Sequence, residues 1–294
     1  MNNVVIERQK ILGWYAALSL FMFGSLHGFE PPEEGGVEVK AKATLYYIAA
    51  VQRTDEGTGT PVWFTNLKGE RTRFWMEGSD FKRAKMEAVA TGENKDGEWK
   101  SAYLAANGEW MELPPGSMGM GNRMNPLVPW VHLAADQSKH PFGSMVYCEG
   151  LVGHETVDGT KLDGFFWVGD VGGLIKGETR FDVFVGSQEY YEKAMERRVK
   201  NEVEHEIDVV VYPLPKAPDG MDSSTMPGIR AILTELGYEI GENEWADESI
   251  EEALTTFQKK HPKIPEAEYG NRRGATTQWF LIQAALELAG KTPG

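Results

Sequence analysis

The chain has 294 residues, of which 41% are apolar and 25% charged, and its net charge is −14. That is room for one large domain or a medium domain with a small companion. The acidic balance, with no Lys/Arg-rich run, argues against nucleic acid or anionic lipid as partners. One cysteine, Cys148, rules out an intrachain disulfide framework, and no CxxC pair offers a zinc site. No metal or cofactor is expected.

At the N-terminus Arg8 and Lys10 precede an apolar run from Ile11 to Phe23, and Pro31-Pro32-Glu33-Glu34 ends the segment. This is the layout of a secretory signal peptide, with a run too short for a confident membrane span. Gly24-Ser-Leu-His-Gly28 gives no clean cleavage site, so a plain helix or an uncleaved anchor stays open beside export to the periplasm or cell envelope. No cysteine follows the run, and no lipid anchor of that type is expected. Residues 1–36 are therefore read as a signal-like segment and spacer.

Residues 37–215 carry short strand signals separated by Gly-rich turns: Val39 to Val51, Val62 to Thr65, Thr72 to Met76, Trp130 to Ala135, Met145 to Glu149, Gly164 to Gly169, Phe181 to Gly186 and Ile207 to Tyr212. Short strands with few helical periods predict a barrel. Ser187 to Glu204 reads as an exposed helix before the last strand. A Pro/Gly linker covers 216–227, and then the period changes from two to 3.6. Ile229, Ile232, Leu233 and Leu236 form one apolar stripe, opened by Thr225 and Pro227 and stopped by Gly237. Ile250, Ala253, Leu254 and Phe257 form a second after an Asp247 cap. Leu281, Ala284, Ala285 and Leu288 form a third. Three short helices over 228–294 make a small all-α domain expected to fold alone.

The most informative stretch is Asp170-Val-Gly-Gly-Leu-Ile-Lys-Gly177, followed by Glu-Thr-Arg-Phe-Asp182-Val-Phe-Val-Gly186. Aspartate is depleted in strands, and a carboxylate among Phe181, Val183 and Phe184 loses hydration, so its charge must be compensated or its pKa rises. The bland alternative is that Asp170 caps the Gly172-Gly173 turn while Asp182 pairs with Arg180 or Lys176. Five of the nine tryptophans, Trp63, Trp75, Trp99, Trp110 and Trp130, fall within 63–130. Aromatic faces suit sugar rings, although core packing accounts for most such residues. Pro114 to Gly121 reads as a mobile loop. His154-Glu155 and His205-Glu206 lack the second histidine of a zincin site, and Cys148 reads as a small buried hydrophobe rather than a nucleophile.

Taken together, the Asp170–Gly177 turn, the Phe-Asp182-Val-Phe-Val-Gly strand, Ala135-Asp136 before Pro141-Phe-Gly143-Ser, Asn125-Pro126-Leu-Val-Pro129, and Ala43-Thr44-Leu-Tyr46-Tyr47 resemble the double-psi β-barrel of the three-aspartate (3D) family. That family includes the MltA-type lytic transglycosylases. The resemblance implies a mainly β protein: a six-stranded double-psi barrel over 37–215 with a β-rich insertion at about 52–125. It implies murein cleavage, with Asp182 at the position of the catalytic acid, Asp170 and Asp136 beside it, and Thr44, Tyr46, Gly172, Gly173, Lys176 and Trp130 as substrate contacts. Peptidoglycan glycan strands are the implied partner, and a monomer is expected. The helices resemble peptidoglycan-binding-like domains through Ile232-Leu233-Thr-Glu-Leu236-Gly237-Tyr238, Ala253-Leu254-Thr-Thr-Phe257-Gln258 and Gly274-Ala-Thr-Thr277. Deleting this module is then expected to weaken wall binding more than turnover. The family's lipid-anchoring cysteine is absent, and the insertion of about 75 residues is shorter than the family's second domain.

A lytic transglycosylase needs one acid/base, because the attacking group is the muramoyl C6 hydroxyl of the substrate. That acid must hold a proton near neutral pH, so the resemblance requires a raised pKa at Asp182. Asp136 is expected to act chiefly as a structural group, bonding amides of the turn to Gly143. A non-catalytic wall-binding barrel and a water-using glycoside hydrolase are the two alternatives.

Overall fold

A computed structural model of the chain describes residues 29–48, 53–54, 56–87, 89–93, 99–105, 108–113, 117–156, 159–196, 206–241 and 248–290. The export-like run and the Asp247 cap lie outside the described residues. Among the described residues no helix is long and apolar enough to cross a membrane.

The first strand, β1 (Val37–Ile48), buries Ala41, Ala43 and Leu45 on one face and turns Thr44 and Tyr46 to the other. The chain then builds a separate sheet from β2 (Arg53–Thr54), β3 (Thr60–Thr65), β4 (Arg71–Met76), β5 (Val89–Glu93), β6 (Trp99–Leu104) and β7 (Trp110–Glu112), in the order β2-β4-β3-β7-β6-β5. Helix α1 (Gly78–Glu87) joins β4 to β5. Val62, Met76, Ala84, Ala102 and Trp110 form its small core. Only β3 and β4 of this sheet have a plain strand signal. β5, Val-Ala-Thr-Gly-Glu, carries a glycine and ends on a glutamate, β6, Trp-Lys-Ser-Ala-Tyr-Leu, has no β-branched residue, and among the described side chains α1 packs through Phe81 and Ala84.

Two short strands, β8 (Gly119–Met120) and β9 (Pro126–Leu127), pair with each other. The Gly-rich stretch that the sequence reads as mobile therefore ends in a hydrogen-bonded ribbon. The barrel is completed by β10 (His132–Ala134), β11 (Met145–Tyr147), β12 (Phe165–Asp170), β13 (Arg180–Ser187) and β14 (Glu206–Tyr212). It closes in the order β1-β13-β10-β12-β11-β14, with β1/β13 and β10/β12 parallel, a double-psi-like barrel. Val168, Phe181, Val183, Val185, Val209 and Val211 fill it, together with the buried Cys148. Helix α2 (Gln188–Glu196) follows β13, and its Tyr191 stacks on Tyr47 at 4.5 Å.

The C-terminal region contains α3 (Met226–Glu235), α4 (Glu248–Lys260) and α5 (Ala275–Leu288). Thr225 caps α3 by accepting from the Gly228 amide at 3.2 Å. The apolar stripe expected for α5 accounts for only part of its burial. Trp279, Phe280 and Ile282 are buried as well, which covers the helix nearly all round. The helix packs against β12, with the Phe280 and Trp167 rings 6.4 Å apart. Lys263 adds an ion pair to Asp163 and sits over Phe165. The helices thus share a buried face with the barrel.

Candidate active site

Strand register brings the two prominent carboxylates together. Asp170 ends β12 and Asp182 is the third residue of β13; both are in register with Ala134 of β10, which runs between them. Across β13, Thr44 pairs with Asp182, and Tyr46 follows on the same face. The Tyr46 hydroxyl donates to Asp170 Oδ2 at 3.0 Å. Burial, the Asp170 carboxylate and the charge of Asp182 together hold the Tyr46 hydroxyl well above its ordinary pKa. Thr44, Tyr46, Asp170 and Asp182 therefore share one patch outside the barrel core. Behind Tyr46, Phe184 stands 5.2 Å away within a cluster of Ile48, Leu113 and Leu127.

Asp170 is partly exposed as a residue, but its carboxyl group is enclosed. Enclosure raises its pKa from 3.8 to about 6, against the opposing pull of the Val171 amide, the Tyr46 hydroxyl, the Asn122 amide and His132. The Asn122 amide donates to Oδ1 at 3.1 Å. This approach requires Gly121, where a Cβ would lie 2.5 Å from the Gly169 carbonyl oxygen and 3.2 Å from Asp170 Cβ. Because the folded pKa is raised, the native state keeps this proton to higher pH, and stability falls as pH rises from about 4 to about 6. Asp170→Asn removes that penalty and forfeits one acceptor oxygen. We expect a net gain of about 1 kcal/mol at pH 7 and a flatter stability profile in acid, read by thermal melts. A loss of stability at pH 7 contradicts this.

Asp136 has a different surrounding. Its carboxylate accepts from the Ser138 amide (3.1 Å), the Ser138 hydroxyl (2.7 Å) and the Gly177 amide (3.0 Å). These bonds, with help from the Lys176 charge, bring its pKa down to about 2. The Ser138 amide belongs to the turn that runs to Gly143, as expected for a structural group, and the Gly177 amide is an added partner. Asp136 thereby fastens the 170–177 turn to the barrel and stays ionised, unsuited to delivering a proton. Within the turn, Ile175 is buried under Gly172, Gly173 and Lys176 are exposed, and Leu174 projects with 86% of its surface free. Lys176 acts on Asp136 and is no contributor to the Asp170 shift. We expect Asp136→Ala to free this turn, read as faster amide exchange across 172–177 with the barrel strands still protected. Uniform exchange rates would contradict the role.

Trp130 is 8% exposed and belongs to the barrel core, so it offers no ring face to a sugar, contrary to the sequence expectation. Trp110 is buried in the second sheet. Trp63 is 44% exposed, with the Arg71 guanidinium 4.3 Å above its ring.

The residues that sequence reasoning missed are Asn122, His132 and Glu268. His132 sits in an apolar strand, Trp-Val-His-Leu-Ala-Ala, and a histidine there needs a partner; that was the available signal. Its partner, Glu268, is fully buried 3.0 Å from Nε2. Nothing local in Pro265-Glu-Ala-Glu-Tyr marks it.

Residues 132–201, the segment bearing Asp136, Asp170 and Asp182, match the 3D domain model. No curated protein matches the chain. Similar solved structures include a membrane-bound lytic murein transglycosylase from Agrobacterium tumefaciens, at 16% identity over 58% of this chain and 73% of that one, with a TM-score of 0.41. Another is E. coli MltA with bound chitohexaose, at 17% identity over 59% and 71% of the two chains, TM-score 0.39. Neisseria gonorrhoeae MltA gives 12% identity, 61% and 72% coverage and a TM-score of 0.36.

Proposed function

We propose that the protein is an exported, monomeric lytic transglycosylase that cleaves the MurNAc–GlcNAc β-1,4 bond of peptidoglycan and leaves a 1,6-anhydro-MurNAc end. The observation carrying this reading is the pair Asp170 and Asp182, held in register on either side of β10 with Tyr46 across them, in a segment that matches the 3D domain model. In this account Asp182 protonates the bridging oxygen and then takes the proton of the muramoyl C6 hydroxyl, which attacks C1. Asp170 holds Tyr46 and the Asn122 amide in place beside it. Thr44, Tyr46 and the 172–176 turn, of which Gly173, Leu174 and Lys176 are exposed, supply the glycan contacts.

The test is mass spectrometry of purified sacculi digested with the full chain. Soluble fragments ending in anhydro-muramic acid are the expected result. Reducing ends would assign a water-using hydrolase, and no release would assign a binding protein; either overturns the proposal.

A further inference from the structure

The C-terminal helices reach the candidate site through a buried polar network. Glu268, fully buried, closes the N-terminus of α5: Oε2 accepts from the Thr277 amide and hydroxyl, both at 2.7 Å, and Oε1 from the Thr276 amide at 3.2 Å. Gly274 is required there, since any Cβ would collide with the Glu268 carboxylate. Oε1 also lies 3.0 Å from His132 Nε2. The Val128 amide donates to His132 Nδ1 at 3.0 Å, which places the ring proton on Nε2, directed at Glu268. One edge of that ring touches the chain beside Asp170: a Cβ on Gly169 would stand 3.1 Å from His132 Cδ2 and 2.3 Å from Asn125 Nδ2.

A second set of contacts holds the segment that donates to Asp170. Arg123 (φ 54°) and Met124 (φ 61°) have left-handed backbone, which residues other than glycine adopt only when their surroundings impose it. Those surroundings come from the helical region. The Ala275 amide at the start of α5 donates to Asn125 Oδ1 at 2.8 Å, Asn271 Nδ2 donates to the Met124 carbonyl at 3.2 Å, and Arg273 Nη1 lies 2.9 Å from Met124 Sδ. The amide of Asn122, just before this strained pair, is the one bonded to Asp170 Oδ1.

We propose that the C-terminal helices are a built-in support of the site: Asn125, Asn271 and Glu268 are positioning residues that fix residues 122–125 and His132 and, through them, the Asp170 carboxylate. The consequence for catalysis rests on the glycan-cleaving reading above; the positioning itself does not. The titratable groups facing Asp170 are Tyr46 from β1 and His132 from β10, with Asp182 of β13 facing the same Tyr46 hydroxyl.

The experiment is a carboxyl-carbon NMR titration of Asp170 in the full chain, its resonance assigned by Asp170→Asn. Asn125→Ala removes the tether to α5, the strained pair relaxes and the Asn122 amide leaves Oδ1. Loss of a hydrogen bond to the charged form should raise the Asp170 midpoint by about one unit. Asn271→Ala, at the exposed edge of the same contact, should raise it by about half as much and is the variant read if Asn125→Ala fails to fold. A purely structural role lowers the melting temperature but leaves the midpoint in place. Folded variants whose Asp170 midpoint stays within about 0.2 unit of the parent overturn the proposal. The titration uses no substrate, so that outcome is independent of the murein product analysis.

Discussion

Replacing Asp182 by asparagine is expected to lower fragment release from sacculi by about a thousandfold or more, while the barrel stays folded. The expectation is large because one carboxyl is asked to act twice, first as acid toward the leaving oxygen and then as base toward the C6 hydroxyl; a positioned acid/base contributes roughly 100- to 10,000-fold at each proton transfer. Asparagine keeps the size of the side chain. The backbone pairing of residue 182 with Thr44 and Ala134 does not depend on the carboxylate. Melting temperature should therefore shift by no more than about 3 °C. Asp170→Asn should reduce turnover less than Asp182→Asn, because Asp170 acts by holding Tyr46 and Asn122. Release by Asp182→Asn at rates near the parent, or a greater loss from Asp170→Asn, would reassign the acid.

The second large effect concerns Glu268. Its carboxylate answers the Thr276 amide, the Thr277 amide and hydroxyl, and the His132 ring in a region without water access. Glu268→Ala leaves these donors buried and unanswered, at a cost of about 3–5 kcal/mol. In a chain of this size that lowers the melting temperature by roughly 5–8 °C. Deleting residues 216–294 should be worse, because it uncovers the side of β12 that packs against α5. The sequence alone suggests a detachable wall-binding module whose loss spares turnover. The buried Glu268–His132 pair and the enclosed α5 lead to the opposite expectation: an aggregation-prone truncated barrel. Soluble expression of residues 37–215 with the parent's melting temperature would restore the modular view.

These two predictions depend on different kinds of legibility. The barrel strands are readable because Phe165 to Val168 is a short apolar run bounded by Gly164 and Gly169, and Phe181, Val183, Phe184 and Val185 form another, broken by Asp182 and closed by Gly186. The pairing of Asp170 with Asp182 follows once the strands are placed, and the resemblance of their motifs to the 3D family supplies the placement. The long-range polar contacts are a different matter. His132 and Glu268 are 136 residues apart, and hydrogen bonds between distant segments leave no period or spacing. Asn122 contributes a backbone amide, which any residue but proline provides. Trp130 shows the converse error: a tryptophan beside a candidate groove reads as a sugar platform, yet the left-handed turn at its own backbone (φ 61°) directs the ring into the core.

The most direct test of the central claim is digestion of sacculi in oxygen-18 water, followed by mass spectrometry of the released ends. Attack by the substrate's own C6 hydroxyl breaks the glycosidic bond without water, so the account predicts anhydro-muramic ends carrying no heavy oxygen. Reducing ends with one oxygen-18 atom at C1 would show that water is the nucleophile and would contradict a mechanism built on Asp182 as the single acid and base.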